Sequence, residues 1–268
     1  MIPIRDDNPS VLTPYTTIGI IALNLVAWTV LQGLGADPML ASSVCRFGLI
    51  PGDVLGTLPP GYSFPITAEL GCQIGDFPAW HTLLPSMFMH GGWLHLIGNM
   101  WFLWIFGNNV EDAMGHVRFA IFYLLCGLVA AGLQLYLTTN PAIPMVGASG
   151  AIGGVMGAYI LLYPRVHVHL LLILGFFVTT IAVPAVFMLG YWFLLQLAGG
   201  YFDTGEGGGV AFWAHVGGFV AGVVLILFFR DPVLVARHPY HGWKGRSPRR
   251  SWQRVGRARR NDNGWRDF

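Results

Sequence analysis

The stretches VGASGA, residues 146–151, and WAHVGG, residues 213–218, decide the fold of this chain. Each places one polar side chain, Ser149 or His215, inside a long and otherwise uncharged apolar segment. Polar and ionisable groups at membrane depth are unfavourable, so they usually mark a functional site. A serine and a histidine that meet in such surroundings are the minimum for an activated hydroxyl nucleophile.

The composition is that of a membrane protein. Of the 268 residues, 54% are hydrophobic and 10% are charged, whereas roughly a quarter of a soluble domain is charged. Eleven of the 15 Lys and Arg residues follow Phe229, so a nearly uncharged body carries a basic tail. The first apolar run begins near Thr17 and is long enough to span a membrane, so we expect no cleavable signal.

Six apolar runs approach the ~20 residues that a spanning helix requires. We therefore predict an all-α membrane protein, a bundle of six transmembrane helices with a long first outer loop over residues 35–91. The fifth run is over-long and contains Pro184, which predicts a kinked helix that could gate substrate access. The predicted spans are residues 17–34, 92–110, 118–137, 147–163, 168–198 and 210–229.

Charge distribution predicts the orientation of the chain. The inner loops would carry Arg118, Arg165 and the basic tail, and the outer loops only Arg46, so both termini are expected in the cytoplasm. We divide the chain into a cytoplasmic N-terminal segment (1–16), a catalytic membrane domain (17–230) and a basic cytoplasmic tail (231–268). We expect the tail to be disordered and to contact anionic lipid, and we expect no nucleic-acid partner.

The rise of a helix converts sequence position into membrane depth. Ser149 and His215 each lie about 15 residues, or ~22 Å, from the cytoplasmic end of their spans. On one face of the second span, His95 lies at ~24 Å and Asn99 at ~18 Å. The shared depth favours a single cluster in which these two residues donate to an oxyanion. The alternative is an interhelical hydrogen bond that only holds the bundle together.

Glycines flank both candidate catalytic residues. Gly150 and Gly154 on the fourth span, and Gly218 and Gly222 on the sixth, form small-xxx-small pairs that let helix backbones approach closely. Generic membrane packing would account for such pairs, but their position beside the candidate residues suggests that they hold the two spans together. Ser149 also lies in the first turn of its helix, where free backbone N–H groups can meet an oxyanion.

Three segments together resemble the rhomboid family of intramembrane serine proteases, in the family's order and in the corresponding spans. They are HGGWLHLIGN at 90–99, GASG at 147–150 and AHVGGFVAG at 214–222. The stretch FGNNVED at 106–112 is similar to many bacterial rhomboids. The resemblance covers about residues 15–230 and implies a six-helix rhomboid fold.

The resemblance also implies residue roles. Ser149 and His215 would form a catalytic dyad without an acidic third member. His95 and Asn99 would bind the oxyanion together with the Ser149 backbone N–H. Gly147 would leave space for the oxyanion to reach these donors. Two further residues are affected by the comparison: His90 would brace the first loop, and Gly153 stands where some members carry an aromatic that stacks on the histidine.

The implied function is that of a serine endopeptidase that cleaves transmembrane helices of other membrane proteins near their outer end. Helix-breaking residues in the substrate should favour cleavage, because a helix hides its carbonyls in i→i−4 bonds. The resemblance implies a small residue before the scissile bond and a multi-pass protein of the cell membrane, with a bacterial inner membrane as the expected location. The expected partners are transmembrane-helix substrates and membrane lipid, and we expect no cofactor and no metal.

Two other classes of function remain alternatives. A non-catalytic helix-binding protein of the same fold would be expected to lack Ser149 or His215, and both are present. A transporter or channel could use the histidines as a proton or metal path, but no carboxylate or cysteine shares their layer. The sequence leaves open the oligomeric state, the physiological substrate and the pairing of Cys45 with Cys72, for which we favour free thiols over a disulfide.

Overall fold

The computed structural model describes residues 2–67, 70–205 and 209–240, and helices dominate them. The helices are α1 Tyr15–Val26, α2 Met39–Phe47, α3 Pro51–Val54, α4 Trp93–Met114, α5 His116–Leu137, α6 Ser149–Leu162, α7 Ala185–Phe202, α8 Phe212–Phe229 and α9 Pro232–Arg237. A π-helical turn, Ala27–Leu31, continues α1, and 3-10 turns cover Gly33–Gly35, Trp80–Leu83 and Pro85–Phe88. The strands are β1 Ile2–Asp6, β2 Ser63–Pro65, β3 Gly71–Gln73, β4 His167–Leu174 and β5 Phe177–Pro184.

Helix α6 is the innermost element of the bundle. It contacts α4, α5, α7 and α8, and eleven of its 14 residues are buried. Four of those residues are glycines, so the helix is thin enough for its neighbours to surround it at short range. Because α6 begins at Ser149, the centre of the bundle also fixes the position of the candidate nucleophile.

The contact between α6 and α8 is a contact between backbones. A Cβ atom placed on Gly218 would lie 1.8 Å from the Gly150 carbonyl oxygen, and one placed on Gly222 would lie 1.9 Å from the Gly154 carbonyl oxygen. No side chain larger than hydrogen fits at either position without moving the helices apart. The glycine pairs that the sequence places on the fourth and sixth spans therefore face each other.

Acidic side chains at the end of α4 hold the start of α1. The buried Glu111 carboxylate accepts hydrogen bonds from the backbone N–H groups of Thr16 (2.9 Å) and Thr17 (2.8 Å) and from the Thr17 hydroxyl (2.7 Å). Asp112 accepts from two N–H groups just before α1, at 2.6 and 2.7 Å. Carboxylates at a helix N-terminus satisfy its free N–H groups and interact favourably with its dipole. This arrangement gives the FGNNVED stretch a structural role.

The first loop is folded and carries a disulfide. Cys45 in α2 is bonded to Cys72 in β3, and Cys72 packs with Ile50 and Ile74 in a small apolar cluster. Our preference for free thiols was therefore wrong. The two cysteines lie 27 positions apart along the chain, a spacing that gives no hint of their proximity. They meet because the β2–β3 hairpin folds back towards α2.

The predicted fifth span is wrong in its first half. Residues predicted as helix from 168 onward form the antiparallel β4–β5 hairpin, and β1 adds to β4 to make a three-stranded sheet. Only α7 is helical, and Pro184 ends β5 at the N-cap of α7 instead of kinking a helix. Gly175, with φ of 61°, lies in the hairpin turn. A continuous apolar run is compatible with a strand or a helix, so periodicity alone did not separate them.

Three helices of the described residues are long and apolar enough to cross a membrane: His116–Leu137, Ala185–Phe202 and Phe212–Phe229. Tyr15–Leu31 and Ser149–Leu162 are apolar but shorter. The count of six spans therefore stays a prediction.

The start of the predicted tail is ordered. Asp231 caps α9 by accepting from the Val233 backbone N–H at 2.8 Å, and its own N–H donates to the Ala113 carbonyl at the end of α4. His238, beyond α9, is buried. The prediction of disorder from residue 231 was wrong for this part, because the capped turn packs against the bundle. Residues 241–268, which carry most of the basic charge, lie outside the described residues.

The backbone contact between α6 and α8 predicts a large difference between two glycine substitutions. Gly222→Ala forces a methyl group towards a carbonyl oxygen and should lower the free energy of unfolding by at least the ~1–3 kcal/mol of an overpacked core. Gly132→Ala, in α5, is the matched control, since a Cβ there meets nothing within 4 Å. Thermal unfolding of both variants in one detergent measures the difference. Equal midpoints would contradict close packing of these helices.

Candidate active site

Ser149 is held by the segment that precedes α6. The Gly147 N–H donates to the Ser86 carbonyl at 2.9 Å, and Met145 exchanges two backbone hydrogen bonds with Leu49 in the first loop. These bonds pair backbone polar groups of an irregular, half-buried segment, as buried polar groups require. Ser149 then begins α6 and is partly exposed. Its hydroxyl is therefore placed at the N-terminal end of a buried helix and remains reachable.

His215 approaches from the first turn of α8. The Ala214 N–H donates to Gln134 Oε1 on α5 at 3.0 Å, which secures the start of the helix. His215 Nε2 lies 2.8 Å from Ser149 Oγ. This is the distance of a hydrogen bond between an imidazole and a hydroxyl. The structure thus brings together the two residues that the sequence singles out, and the contact lies one turn from the glycine pairs.

His95 and Asn99 face the same place from α4. A Cβ built on Gly147 would lie 2.7 Å from His95 Nε2 and 3.5 Å from Asn99 Nδ2. Gly147 has φ of 125°, a backbone conformation that side chains other than hydrogen disfavour. His95 Nδ1 accepts from the Gly91 N–H at 3.3 Å. Both side chains of α4 therefore converge on the glycine that lies two residues before Ser149.

His90 is fully buried beside this group. Its ring meets the His95 ring edge to face, with centroids 5.1 Å apart. The Gln32 side chain binds the His90 backbone twice: its amide donates to the carbonyl at 2.7 Å, and its oxygen accepts from the N–H at 2.8 Å. The loop that carries His90 is therefore attached to the end of α1 through Gln32, a residue that sequence reasoning missed.

Two residues of α7 contact His215 and were also missed. Gln196 Oε1 lies 2.8 Å from His215 Nδ1. The Trp192 ring packs at 37° to the imidazole, with centroids 5.7 Å apart. On the α6 side, a Cβ at Gly153 would meet the His215 carbonyl oxygen at 3.0 Å. A signal was present in the sequence, because Gln196 is a polar residue within an apolar helix.

A small cavity opens beside Ser149. Its lining includes Ser149, Met145, Ala130, Gly127 and Ala214. Small side chains dominate its lining, so they leave room for a short side chain next to the hydroxyl.

Comparison with known proteins assigns this chain to a family. Residues 78–232 match the model of the Rhomboid domain, which is more than half of the chain. The chain belongs to the rhomboid family. The matched range contains Ser149, His215, His95 and Asn99. It also contains α4 to α8 and the hairpin between α6 and α7.

Several named rhomboid proteins are similar to this chain. Rhomboid-like protein 11, chloroplastic, of Arabidopsis thaliana is 34% identical over 158 residues, which are 56% of this chain and 53% of the relative. RHOMBOID-like protein 5 of the same plant is 27% identical over 82% of this chain and 68% of its own length. Rhomboid protease GluP of Bacillus subtilis is 31% identical over 54% of this chain and 26% of its own length. The chain thus spans about half the length of the first of these relatives.

Gly147 should tolerate no side chain. Gly147→Ala places a methyl group 2.7 Å from His95 Nε2 at a positive φ, so we expect a loss on the order of 10²–10³ in kcat, as for removal of one oxyanion donor. The measurement is cleavage of a model transmembrane substrate in detergent. Gly56→Ala is the matched control, because Gly56 also has a positive φ (66°) but open space around it. Equal activity of the two variants would remove Gly147 from the site.

Proposed function

We propose that this chain is an intramembrane serine endopeptidase that cleaves transmembrane helices of other membrane proteins near their outer end. The 2.8 Å contact between Ser149 Oγ and His215 Nε2 carries the proposal. Membership of the rhomboid family supports it, and so does the name of the relative GluP, a rhomboid protease.

The contact suits proton transfer from the serine to the histidine. As Ser149 Oγ attacks the scissile carbonyl carbon, its proton passes to His215 Nε2, and the carbonyl oxygen becomes an oxyanion. The imidazolium then gives this proton to the leaving amine nitrogen as the C–N bond breaks. An ester between Ser149 and the N-terminal part of the substrate remains. Water hydrolyses this ester, with His215 again taking and returning the proton.

Three donors would face the oxyanion. The Ser149 backbone N–H lies in the first turn of α6, where N–H groups have no partner within the helix. Asn99 Nδ2 is buried without a hydrogen-bond partner among the described residues. Because His95 Nδ1 accepts from Gly91, its proton is expected on Nε2, on the side of Gly147. An unpaired buried amide is unfavourable in the resting protein, and a transition-state oxyanion would relieve it.

The cavity beside Ser149 supports a preference for a small residue before the scissile bond. Gly127, Ala130 and Ala214 leave room for a short side chain. Larger residues would have to displace buried helices. Helix-breaking residues near the cut would expose the substrate carbonyl to Ser149.

We place the protein in the cell membrane as a multi-pass protein with both termini in the cytoplasm, and residues 17–230 as its catalytic domain. Helix α4 contacts both β1 and α9. Helix α9 follows the end of α8, which is the end of the bundle away from Ser149. Arg118 and Arg230 belong to the same end, in agreement with the positive-inside rule. The basic residues after 240 would then lie against anionic lipid.

Substitution of either member of the dyad should abolish both cleavage and labelling by a serine-directed fluorophosphonate. Ser149→Ala removes the nucleophile, and His215→Ala removes the base, so each should reduce kcat by at least ~10³-fold. Purified protein is assayed with a model transmembrane substrate in detergent. Ser42→Ala, an exposed serine of α2, is the matched control and should keep full activity.

The same experiment separates the competing functions. Cleavage that persists in Ser149→Ala would end the dyad proposal. If the fluorophosphonate labels His215→Ala as well as it labels the wild type, the reactive serine does not depend on the histidine. A transporter or a non-catalytic helix binder would leave the model substrate intact in every variant.

A further inference from the structure

A histidine can act as a base only through a ring nitrogen that carries no proton. His215 Nε2 can accept the Ser149 proton only if the neutral ring carries its own proton on Nδ1. An Nδ1–H needs an acceptor, and Gln196 Oε1 stands 2.8 Å away. A carbonyl oxygen can only accept, so this contact selects the tautomer that the dyad requires. The contact also fixes the rotation of the ring.

The acceptor comes from a helix that is lightly packed. Only three of the 18 residues of α7 are buried, namely Ala185, Leu189 and Gly200. Gln196 and Trp192 lie four residues apart, and both contact His215 from one face of this helix. The orientation of the base on α8 therefore depends on the position of α7.

We propose that Gln196 is a positioning residue that holds His215 with Nε2 towards Ser149 and ties the base to α7. This inference rests on the proposed dyad. Displacement of α7 by a few ångströms breaks the bond to Nδ1 and leaves the imidazole free to rotate or change tautomer. A full carboxylate in the same place would also stabilise the imidazolium, but it would bring a charge into the bilayer, which an amide avoids.

Two substitutions test the positioning role. Gln196→Met keeps the length of the side chain and removes the acceptor. We expect kcat to fall on the order of 10- to 100-fold with KM nearly unchanged. This loss is smaller than the ~10⁴-fold loss on replacing the aspartate that orients the histidine of a catalytic triad. Gln196→Glu restores an acceptor and should recover most of the rate. Its negative charge should also move the acidic limb of the pH–rate profile to higher pH, because it favours the protonated, inactive ring.

The controls separate this inference from the proposed function. Leu195→Met, an exposed neighbour on α7, should match the wild type. Wild-type activity in Gln196→Met would overturn the positioning role while Ser149→Ala still abolishes cleavage. An equal loss in the Met and Glu variants, with an unmoved pH profile, would mean that Gln196 only supports the fold. Fluorophosphonate labelling rates should follow kcat, since that probe needs no substrate helix.

An independent observation concerns the far half of the β4–β5 hairpin, residues 172–180, here called the distal ribbon. Among the described residues, β1 pairs with β4 as far as Leu171, and residues 172–180 pair only within the β4–β5 hairpin. The distal ribbon exposes Ile173, Phe176, Phe177 and Val178. A two-stranded ribbon is marginally stable in water, and exposed apolar strands are usually guarded by charges. No charged residue occurs between Leu170 and Pro184.

We infer that the distal ribbon inserts into the interface of the bilayer leaflet away from Ser149. The ribbon joins the end of α6 to the start of α7, so it lies where the bundle meets the membrane surface. Its apolar surface continues onto α7, where Phe187 is exposed in the first turns. The free strand edges need water, so insertion reaches the ~5–10 Å of the headgroup and acyl boundary and no deeper.

An environment-sensitive fluorophore on Phe176→Cys tests the insertion. Cys45 and Cys72 are bonded and Cys126 is buried, so the introduced thiol is the reactive one. In phosphatidylcholine vesicles with brominated acyl chains, the label should be quenched severalfold. A label at Ser10→Cys, in the exposed N-terminal segment, should not be quenched. An unquenched label at position 176 overturns the inference. Self-quenching of the label that persists on dilution into excess lipid also overturns it, because it would indicate that the distal ribbon pairs with a second copy of the chain.

Discussion

The contact between the backbones of α6 and α8 is the constraint on which the site depends. Gly218 meets the Gly150 carbonyl and Gly222 meets the Gly154 carbonyl at distances that exclude any Cβ. Ser149 and His215 lie at the same end of this contact, one on each helix. Since both helices are rigid over such short distances, the glycines determine the 2.8 Å separation of the hydroxyl and the imidazole. The hydrophobic effect does not drive helices together inside a membrane, so close van der Waals packing has to supply the attraction between α6 and α8.

The part of the site that lies on regular helices could be predicted from the sequence. A constant rise along α6 and α8 turns the positions of Ser149 and His215 into matching depths, and the spacing of His95 and Asn99 places them on one face of α4. The glycine pairs then indicate which helices touch. Start and end residues of α4, α5, α6 and α8 agree with the predicted spans to within a few residues. Uninterrupted helical geometry made these inferences reliable.

Contacts made by loops and by single polar residues could not be predicted in the same way. The β4–β5 hairpin has the apolar composition of a span, and a continuous apolar run does not distinguish a strand from a helix. The Cys45–Cys72 bond depends on how the first loop folds. The bonds of Gln32 and Gln196 depend on side-chain direction. Each of these features is set by tertiary contacts that leave no period in the sequence.

The surroundings proposed for His215 as a base agree with a location inside a membrane. In water-soluble serine proteases a buried carboxylate orients the histidine and stabilises the imidazolium. Within a bilayer, the same charge would have to be desolvated before any substrate arrives. A glutamine supplies the acceptor for Nδ1 without a net charge, and Trp192 supplies a flat apolar wall for the ring. The imidazolium of the proposed dyad would then be less stabilised during reaction, so such a dyad would exchange catalytic rate for a resting state that the membrane tolerates.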